Sequence, residues 1–198
     1  MFINSGYLGY PVALFALGEA GLQNAVIFDG FVTVLHFTLG VFLVHPEEMH
    51  WKEKVVGILK LPLIYAITIG IGLNFSGVVL PELLVSFLTL IGAATIPLAL
   101  LALGGRLATI KAGNLKVPLI AIFIRFVMGT AAALVFIKLF NAEGIVASSI
   151  LLLSIMPPAV NSYVLNEKFS KDPENAATAV LIGTLLGIIP IAIVLSLI

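Results

Sequence analysis

Two groups of small polar residues lie beside prolines within otherwise apolar stretches of the chain. They are Asn4, Ser5, Gly6 and Gly9 around Pro11, and Asn161 and Ser162 after the pair Pro157 and Pro158. Proline lacks an N–H and clashes with the carbonyl four residues back, so a proline-broken span leaves backbone dipoles without helical partners. Asn and Ser offer neutral donors and acceptors, and glycine lets a ligand approach the backbone. Because half-helix N-termini favour anionic groups, these residues predict a site for a carboxylate or small polar solute that requires no buried cation.

Three ionisable residues, Asp29, His36 and Arg125, fall within apolar stretches. They are candidates for function because an unpaired charge in hydrocarbon is costly. Asp29 and His36 are seven positions apart and therefore share one helical face, and Asp29 can pair with Arg125 if their helices touch. The three residues suggest an intramembrane charge pair or a proton relay. The alternative is structural, with Asp29 near an interface or in an ion pair and His36 hydrogen-bonded to a neighbouring helix.

Catalytic and metal-binding motifs are not found in the sequence. The chain has no Cys, no HExxH or GxSxG motif, and no pair of carboxylates within an apolar span. His45, Glu47, Glu48 and His50 crowd one polar loop, but a metal site needs convergent ligands, so a solvated loop is the better interpretation. The sequence predicts no enzyme, no catalytic residue, no metal and no cofactor, and leaves H⁺ or Na⁺ open as a coupling ion.

The composition indicates a membrane protein. Of the 198 residues, 61% are hydrophobic and 10% are charged, with a mean hydropathy of +1.20, whereas soluble domains carry about 25% charged residues. Ten Lys plus Arg balance ten Asp plus Glu, so no basic field exists to attract nucleic acid. The lipid bilayer is therefore the expected partner, and a nucleic acid is not.

The polar groups must be positioned by transmembrane helices. A helix needs about 20 mostly apolar residues to cross the ~30 Å hydrocarbon core. Seven such spans are predicted, and the first and sixth are interrupted, by Gly9 and Pro11 and by the proline pair: residues 2–17, 21–44, 55–73, 82–103, 117–140, 145–165 and 176–198. The predicted fold class is an all-α integral membrane protein with a single domain over residues 1–198.

Positive charges predict the orientation of these spans. In an alternating arrangement, one side carries eight Lys and Arg residues and the other carries only Lys138. We therefore expect a multi-pass plasma-membrane protein with its N-terminus in the cytoplasm and its C-terminus outside. Residues 45–54 are then a cytoplasmic loop.

The first two and the last two predicted spans are similar to each other. In each pair a broken span ends and the next span opens with a related triplet, Gln23-Asn24-Ala25 or Glu174-Asn175-Ala176. Broken spans five places apart in the series predict inverted repeats of five helices. Residues 1–44 then end the first repeat, residues 55–198 form the second, and three preceding helices are missing. Ordinary kinks would explain one break, but two breaks at equivalent positions favour a transport site.

Three segments of the sequence resemble the auxin efflux carrier family of membrane transporters. They are NSGYLGYPVALFALGEAGLQNAVIFD at residues 4–29, PLALLALGGRLA at residues 97–108, and MPPAVNSYVLNEKFSKDPENAATAV at residues 156–180. The resemblance implies ten helices in a 5+5 inverted repeat, with helices four and nine broken and crossing near the substrate. It implies that Pro11 is the first crossover, preceded by Asn4, and that Pro157 and Pro158 mark the second, followed by Asn161.

The resemblance also implies a function. Members of the family move small organic anions, such as auxin in plants and malonate or malate in bacteria. The expected function is therefore a secondary transporter, a permease or efflux carrier of a mono- or dicarboxylate, working by alternating access at the crossed helices. The alternative is a non-transporting fragment or subunit that needs a partner, a second copy or a complementing subunit, to supply three N-terminal helices.

Overall fold

The structure, a computed structural model, describes residues 1–36, 39, 56, 62–110, 113–169 and 172–198. Within these residues a π-helical turn, Ser5–Gly9, precedes eight α-helices: α1 Tyr10–Leu35, α2 Pro62–Ser76, α3 Glu82–Thr109, α4 Lys116–Leu139, α5 Gly144–Ser154, α6 Val160–Phe169, α7 Pro173–Leu186 and α8 Ile188–Leu195. Four stretches of the described chain are long and apolar enough to cross a bilayer: Ser5–Leu35, Glu82–Thr109, Lys116–Leu139 and Pro173–Leu195. The predicted all-α membrane fold is confirmed.

Helix α1 folds back on itself at Gly18. This residue has φ 68° and ψ −160°, a conformation that glycine adopts without steric penalty. The hydroxyl of Tyr10 lies 2.8 Å from Asp29 Oδ2, although a straight helix would separate these residues by about 28 Å. Residues 10–17 and 19–35 are therefore two antiparallel arms, which correspond to the first two predicted spans.

The second break lies between α5 and α6. Helix α5 ends at Ser154, and helical geometry resumes at Val160. Pro157 and Pro158 stand between them, and without N–H groups they cannot continue the hydrogen-bond ladder of α5. The predicted interruption of span 145–165 is confirmed.

The first break does not lie where the sequence predicted it. Gly9 ends the π-helical turn and Pro11 lies in the first turn of α1, so both are inside helical geometry. The non-helical segment is residues 2–4, before the turn. Proline is tolerated in the first turn of a helix because its N–H would have no partner there. The prediction that Gly9 and Pro11 interrupt the first span is therefore wrong: Pro11 begins a helix instead of breaking one.

The other predicted spans correspond to helices with shifted ends. Span 55–73 matches α2 in its described part, span 82–103 matches α3, span 117–140 matches α4, and span 176–198 matches α7 and α8, which meet at Gly187. The predicted loop 45–54, with the metal-like cluster of His and Glu residues, lies outside the described residues. So do residues 40–44, 111 and 171, and most of the Lys residues that predicted the orientation.

The buried core surrounds the second break. Leu152, Leu153 and Met156 are almost completely buried and belong to one apolar cluster with Ala13 and Ala25 from the two arms of α1. The large apolar side chains of α3 and α4, in contrast, are mostly exposed: Leu101 by 73% and Phe123 by 69%. An apolar outer surface around a small polar interior suits a multi-pass protein in lipid.

Candidate functional site

The two broken segments cross and bond to each other. Ile3 and Pro158 stand opposite each other in an antiparallel bridge. Three hydrogen bonds hold the crossing: Asn4 N donates to Pro157 O at 2.8 Å, Ala159 N to Phe2 O at 2.8 Å, and Phe2 N to Ser162 Oγ at 3.1 Å. The crossing therefore supplies hydrogen-bond partners to backbone groups that have no helical partner at the breaks. It lies at Ile3, and not at Pro11 as the family resemblance implied.

Two helix N-termini and one helix C-terminus meet at this crossing. The π-helical turn that leads into α1 begins at Ser5, and α6 begins at Val160, each directly after its crossing segment. Helix N-termini carry partial positive charge because their first N–H groups have no helical partner. The C-terminus of α5, at Ser154, brings the opposite partial charge to the same place.

Arg125 of α4 caps that C-terminus. Its Nη2 donates to Ser154 O and to Met156 O, both at 2.9 Å. These carbonyls lie where α5 ends, and neither Pro157 nor Pro158 has an N–H to offer them. Arg125 therefore neutralises the negative end of α5 and leaves the two positive helix ends dominant at the crossing.

Asp29, on the second arm of α1, is bound to the residues that follow the first crossing segment. Ser5 Oγ donates to Asp29 Oδ1 at 2.5 Å, and the Tyr10 hydroxyl donates to Oδ2 at 2.8 Å. Because Asp29 is held by hydroxyls and Arg125 by carbonyls, the ion pair considered from the sequence is not formed. The carboxylate instead ties the two arms of α1 together.

A cavity of about 280 Å³ opens beside the crossing. Its walls come from the crossing segments, the second arm of α1, α3 and the start of α6. It is lined by Ile3, Asn4, Gly6, Tyr7, Tyr10, Asp29, Val32, Thr33, His36, Thr95, Ala99, Ala159 and Asn161. Polar residues of both broken segments therefore share one partly open cavity.

One buried donor in this wall lacks a partner. Asn4 is only 2% exposed, and its side-chain Nδ2 makes no hydrogen bond. An unsatisfied buried donor destabilises a protein by about 1–3 kcal/mol. Because Asn4 lines the cavity, a small movement of its side chain would offer this donor to an acceptor oxygen of a ligand.

The residues predicted from the sequence fall into two sets. Asn4, Gly6, Asp29, His36 and Asn161 line the cavity. The others lie outside the lining and support it. Ser162, Pro157 and Pro158 take part in the crossing, and Ser5 donates to Asp29. Arg125 caps α5, Gly9 packs against Leu153, and Pro11 lies in the first turn of α1.

His36 lies at the C-terminal end of α1, on the same cavity as Asp29. It is 3% exposed, and its ring stacks on Phe2 with the centroids 4.2 Å apart. The shared helical face predicted from the seven-residue spacing therefore faces the cavity. A relay between the two residues stays a prediction.

A second recess, of about 700 Å³, lies between the second arm of α1 and α4. Its lining is mainly apolar, and Arg125 is the one ionisable side chain among the described residues that line it. It does not contain Asn4, Asp29 or Asn161. Of the two, the smaller cavity is therefore the candidate site, because polar groups of both breaks converge there.

Three glycines let helices approach the second break, and they were not predicted from the sequence. A Cβ at Gly183 would lie 2.6 Å from Pro158 Cδ, and a Cβ at Gly187 would lie 3.2 Å from Pro157 Cβ. A Cβ at Gly129 would overlap the guanidinium of Arg125. The four-residue spacing of Gly183 and Gly187 is the small-xxx-small pattern of close packing in membranes, and it was readable in the sequence.

The two related triplets make different contacts. Asn24 Nδ2 donates to Ser149 Oγ at 3.1 Å and joins the second arm of α1 to α5. Asn175 Nδ2 donates to Asp172 Oδ2 at 2.7 Å, at the N-terminus of α7. The two triplets therefore do not make equivalent contacts. The inverted repeat and its boundaries stay predictions.

Comparison with known proteins identifies a matching family and two similar relatives. The profile of the family described as membrane transport protein matches residues 1–195. An uncharacterized transporter of Methanocaldococcus jannaschii is 30% identical over 209 aligned positions, which cover 98% of this chain and 64% of the relative. An uncharacterized transporter of Methanothermobacter thermautotrophicus is 26% identical over 201 positions, which cover 94% and 62%. The chain thus spans less than two thirds of the length of these relatives. No solved structure matches it.

The residues that the family profile matches include both crossing segments, the end of α5 that Arg125 caps, and the residues that line the cavity. The described helices are apolar enough to span a membrane several times. This multi-pass membrane protein therefore belongs to the membrane transport protein family, the auxin efflux carrier family that its sequence resembles.

Proposed function

We propose that the chain carries the substrate site of a secondary transporter of a small organic anion, a mono- or dicarboxylate, in the cavity beside the crossing. The observation that carries this proposal is the unpaired Nδ2 donor of Asn4 in the cavity wall. Carboxylate oxygens are strong acceptors for such a donor. Asn161, from the other broken segment, brings a second amide to the same cavity.

The fixed charges of the helix ends support an anion. The helical segments that begin at Ser5 and Val160 present their positive ends to the crossing. The negative end of α5 is occupied by Arg125. The opposing charge in the cavity wall is the carboxylate of Asp29.

The crossing also supports alternating access. The cavity lies beside two segments that are joined by the hydrogen bonds of the crossing, and Gly18 supplies a turn between the arms of α1. Rocking of one broken segment against the other would open the cavity to either side. We propose this motion in the plasma membrane, with the N-terminus in the cytoplasm, which the excess of Lys and Arg on one side supports.

The competing proposal is that the chain does not transport by itself. It is favoured by the greater length of its relatives, of which the chain covers 64% and 62%. A second copy or a complementing subunit would then supply further helices. Flux separates the two proposals, because transport by the chain alone is expected only for an autonomous carrier. The described residues that line the cavity all belong to this chain, so malonate binding is expected in either case.

Asn4→Ala is expected to weaken malonate binding about 10- to 100-fold. The substitution removes one hydrogen bond to a charged acceptor, which contributes about 1.5–3 kcal/mol. The measurement is equilibrium binding of radiolabelled malonate to the purified protein in lipid nanodiscs.

Asn74→Ala is the matched control, because Asn74 is an exposed amide on α2 away from the cavity. It should bind malonate like the wild type. An Asn4→Ala variant with unchanged affinity would remove Asn4 from the site. A wild-type protein that binds none of malonate, malate and indole-3-acetate would contradict the proposed function.

A further inference from the structure

We infer that Asp29 is the proton-binding site of this transporter, so that one proton binds to its carboxylate together with the substrate anion. This inference rests on the proposed function, because it assigns the coupling ion of the same cavity. It follows from three features: the position of Asp29 in the cavity wall, its two hydroxyl partners, and the lack of Lys and Arg among the described residues that line the cavity.

The position of Asp29 creates a conflict of charge. An ionised Asp29 and a bound carboxylate would share a cavity of about 280 Å³. Two negative charges at such short range in a poorly polarisable interior repel strongly. A bound carboxylate therefore disfavours the ionisation of Asp29. In the part of the chain that the structure describes, no Lys or Arg lines the cavity. Protonation of Asp29 removes the conflict, so the anion and the proton are bound together.

The hydrogen bonds of Asp29 link this proton to the crossing. In the ionised state both carboxylate oxygens accept, one from Ser5 and one from Tyr10. A proton on either oxygen turns it into a donor, so the hydroxyl at that oxygen must rotate to accept or turn away. The proton is taken from water on one side and released to water on the other, and only O–H bonds are exchanged. Protonation thereby loosens the tie between the crossing segment and the second arm of α1.

The other ionisable groups around Asp29 are few. On its own helix and the preceding turn, Tyr7, Tyr10 and His36 face the same cavity, whereas α3 contributes Thr95 and Ala99 and α6 contributes Asn161. Helix α5, which also packs on α1, has no ionisable side chain. The Met1 residue and Arg125 line the neighbouring recess. Among the described side chains that line this cavity, His36 is therefore the competing proton site at neutral pH, and the Met1 amino group interacts electrostatically with His36.

The experiment measures malonate affinity and proton uptake together. Wild-type protein in weakly buffered nanodiscs is titrated with malonate from about pH 7 to about pH 8.5, where malonate is ionised, with a pH-indicator dye in solution. We expect affinity to fall about tenfold per pH unit, with about one proton taken up per malonate bound. In Asp29→Asn, which is permanently neutral, the affinity should be independent of pH and the proton uptake should disappear.

Three further variants complete the test. Glu19→Gln removes an exposed carboxylate from the same helix and should behave like the wild type. Tyr10→Phe removes one donor to the ionised carboxylate and thereby favours its protonated form, so malonate affinity should rise about tenfold at each pH in this range, which tests the inference even if Asp29→Asn does not fold. His36→Gln should retain the proton uptake.

Two kinds of failure are distinguishable. If the wild type binds no carboxylate at any pH, the proposed function fails and the proton site fails with it. The inference alone is overturned if the wild type binds malonate while Asp29→Asn keeps the pH dependence, if the proton uptake is lost in His36→Gln instead, or if affinity follows the sodium concentration and not the pH.

Discussion

Arg125→Leu is expected to lower the free energy of unfolding by about 3 kcal/mol or more and to abolish malonate binding. The substitution leaves the carbonyls of Ser154 and Met156 without their donor, and Pro157 and Pro158 cannot replace it. Hydrogen bonds to a charged group contribute about 1.5–3 kcal/mol each, and two are lost here. Unpaired carbonyls are especially unfavourable in a membrane interior, where water cannot satisfy them. The end of α5 should therefore rearrange and move Pro158 away from Ile3.

Unfolding in sodium dodecyl sulfate, followed by circular dichroism, measures this effect. Lys138→Leu is the matched control, because it removes an exposed cation from the last turn of the same helix, and it should unfold like the wild type. Arg125→Lys keeps the charge without the forked donor group, so its stability should lie between that of Arg125→Leu and that of the wild type. If Arg125→Leu unfolds at the same detergent fraction as the wild type, Arg125 does not stabilise the break.

Gly183→Ala is expected to destabilise the protein by about 1–3 kcal/mol and to weaken malonate binding, because it overpacks the second break. The added Cβ would lie 2.6 Å from Pro158 Cδ, 2.9 Å from its Cγ and 3.4 Å from Ile122 Cγ1. A proline ring is fixed to the backbone and cannot turn aside. Helix α7 must therefore move away from the break, or the break must move toward the cavity.

The same unfolding assay and the malonate binding assay test this prediction. Gly92→Ala is the control, because a Cβ at Gly92 meets no atom within 4 Å and alanine is the better helix former. It should be as stable as the wild type or slightly more stable. A Gly183→Ala protein with wild-type stability and affinity would show that α7 does not press against the break.

The second break and part of the cavity were predictable because they depend on local properties. Proline lacks an N–H wherever it occurs, and small polar side chains in an apolar stretch need partners. Asn4 and Asn161 were singled out by these properties, and they are two of the five predicted residues among the 13 described residues that line the cavity. The seven-residue spacing of Asp29 and His36 placed them on one face in the same way.

The partners of the charges were not predictable, because they depend on how the helices pack. The turn at Gly18 brings Asp29 to Ser5 and Tyr10, and no residue spacing in the sequence predicts that turn. Arg125 reaches the end of α5 only because α4 packs beside it. The error at Pro11 has a related origin: proline breaks a helix from within and begins one from its first turn, and the sequence does not distinguish the two positions.

A small carboxylate is proposed to bind in the cavity beside the crossing. The chain has no Cys, so a single cysteine can report on this cavity. Ala99, on α3, lines the cavity, is 7% exposed and differs little from cysteine in size. Val79 is 92% exposed in the connection between α2 and α3, and Val79→Cys serves as the control.

The decisive measurement is the rate at which a water-soluble maleimide labels Ala99→Cys with and without malonate. At a malonate concentration of about ten times Kd, we expect the rate to fall about tenfold, because only unoccupied protein reacts, while the labelling of Val79→Cys stays unchanged. If malonate binds the protein but leaves the labelling rate of Ala99→Cys unchanged, the carboxylate is bound elsewhere and the cavity is not the site.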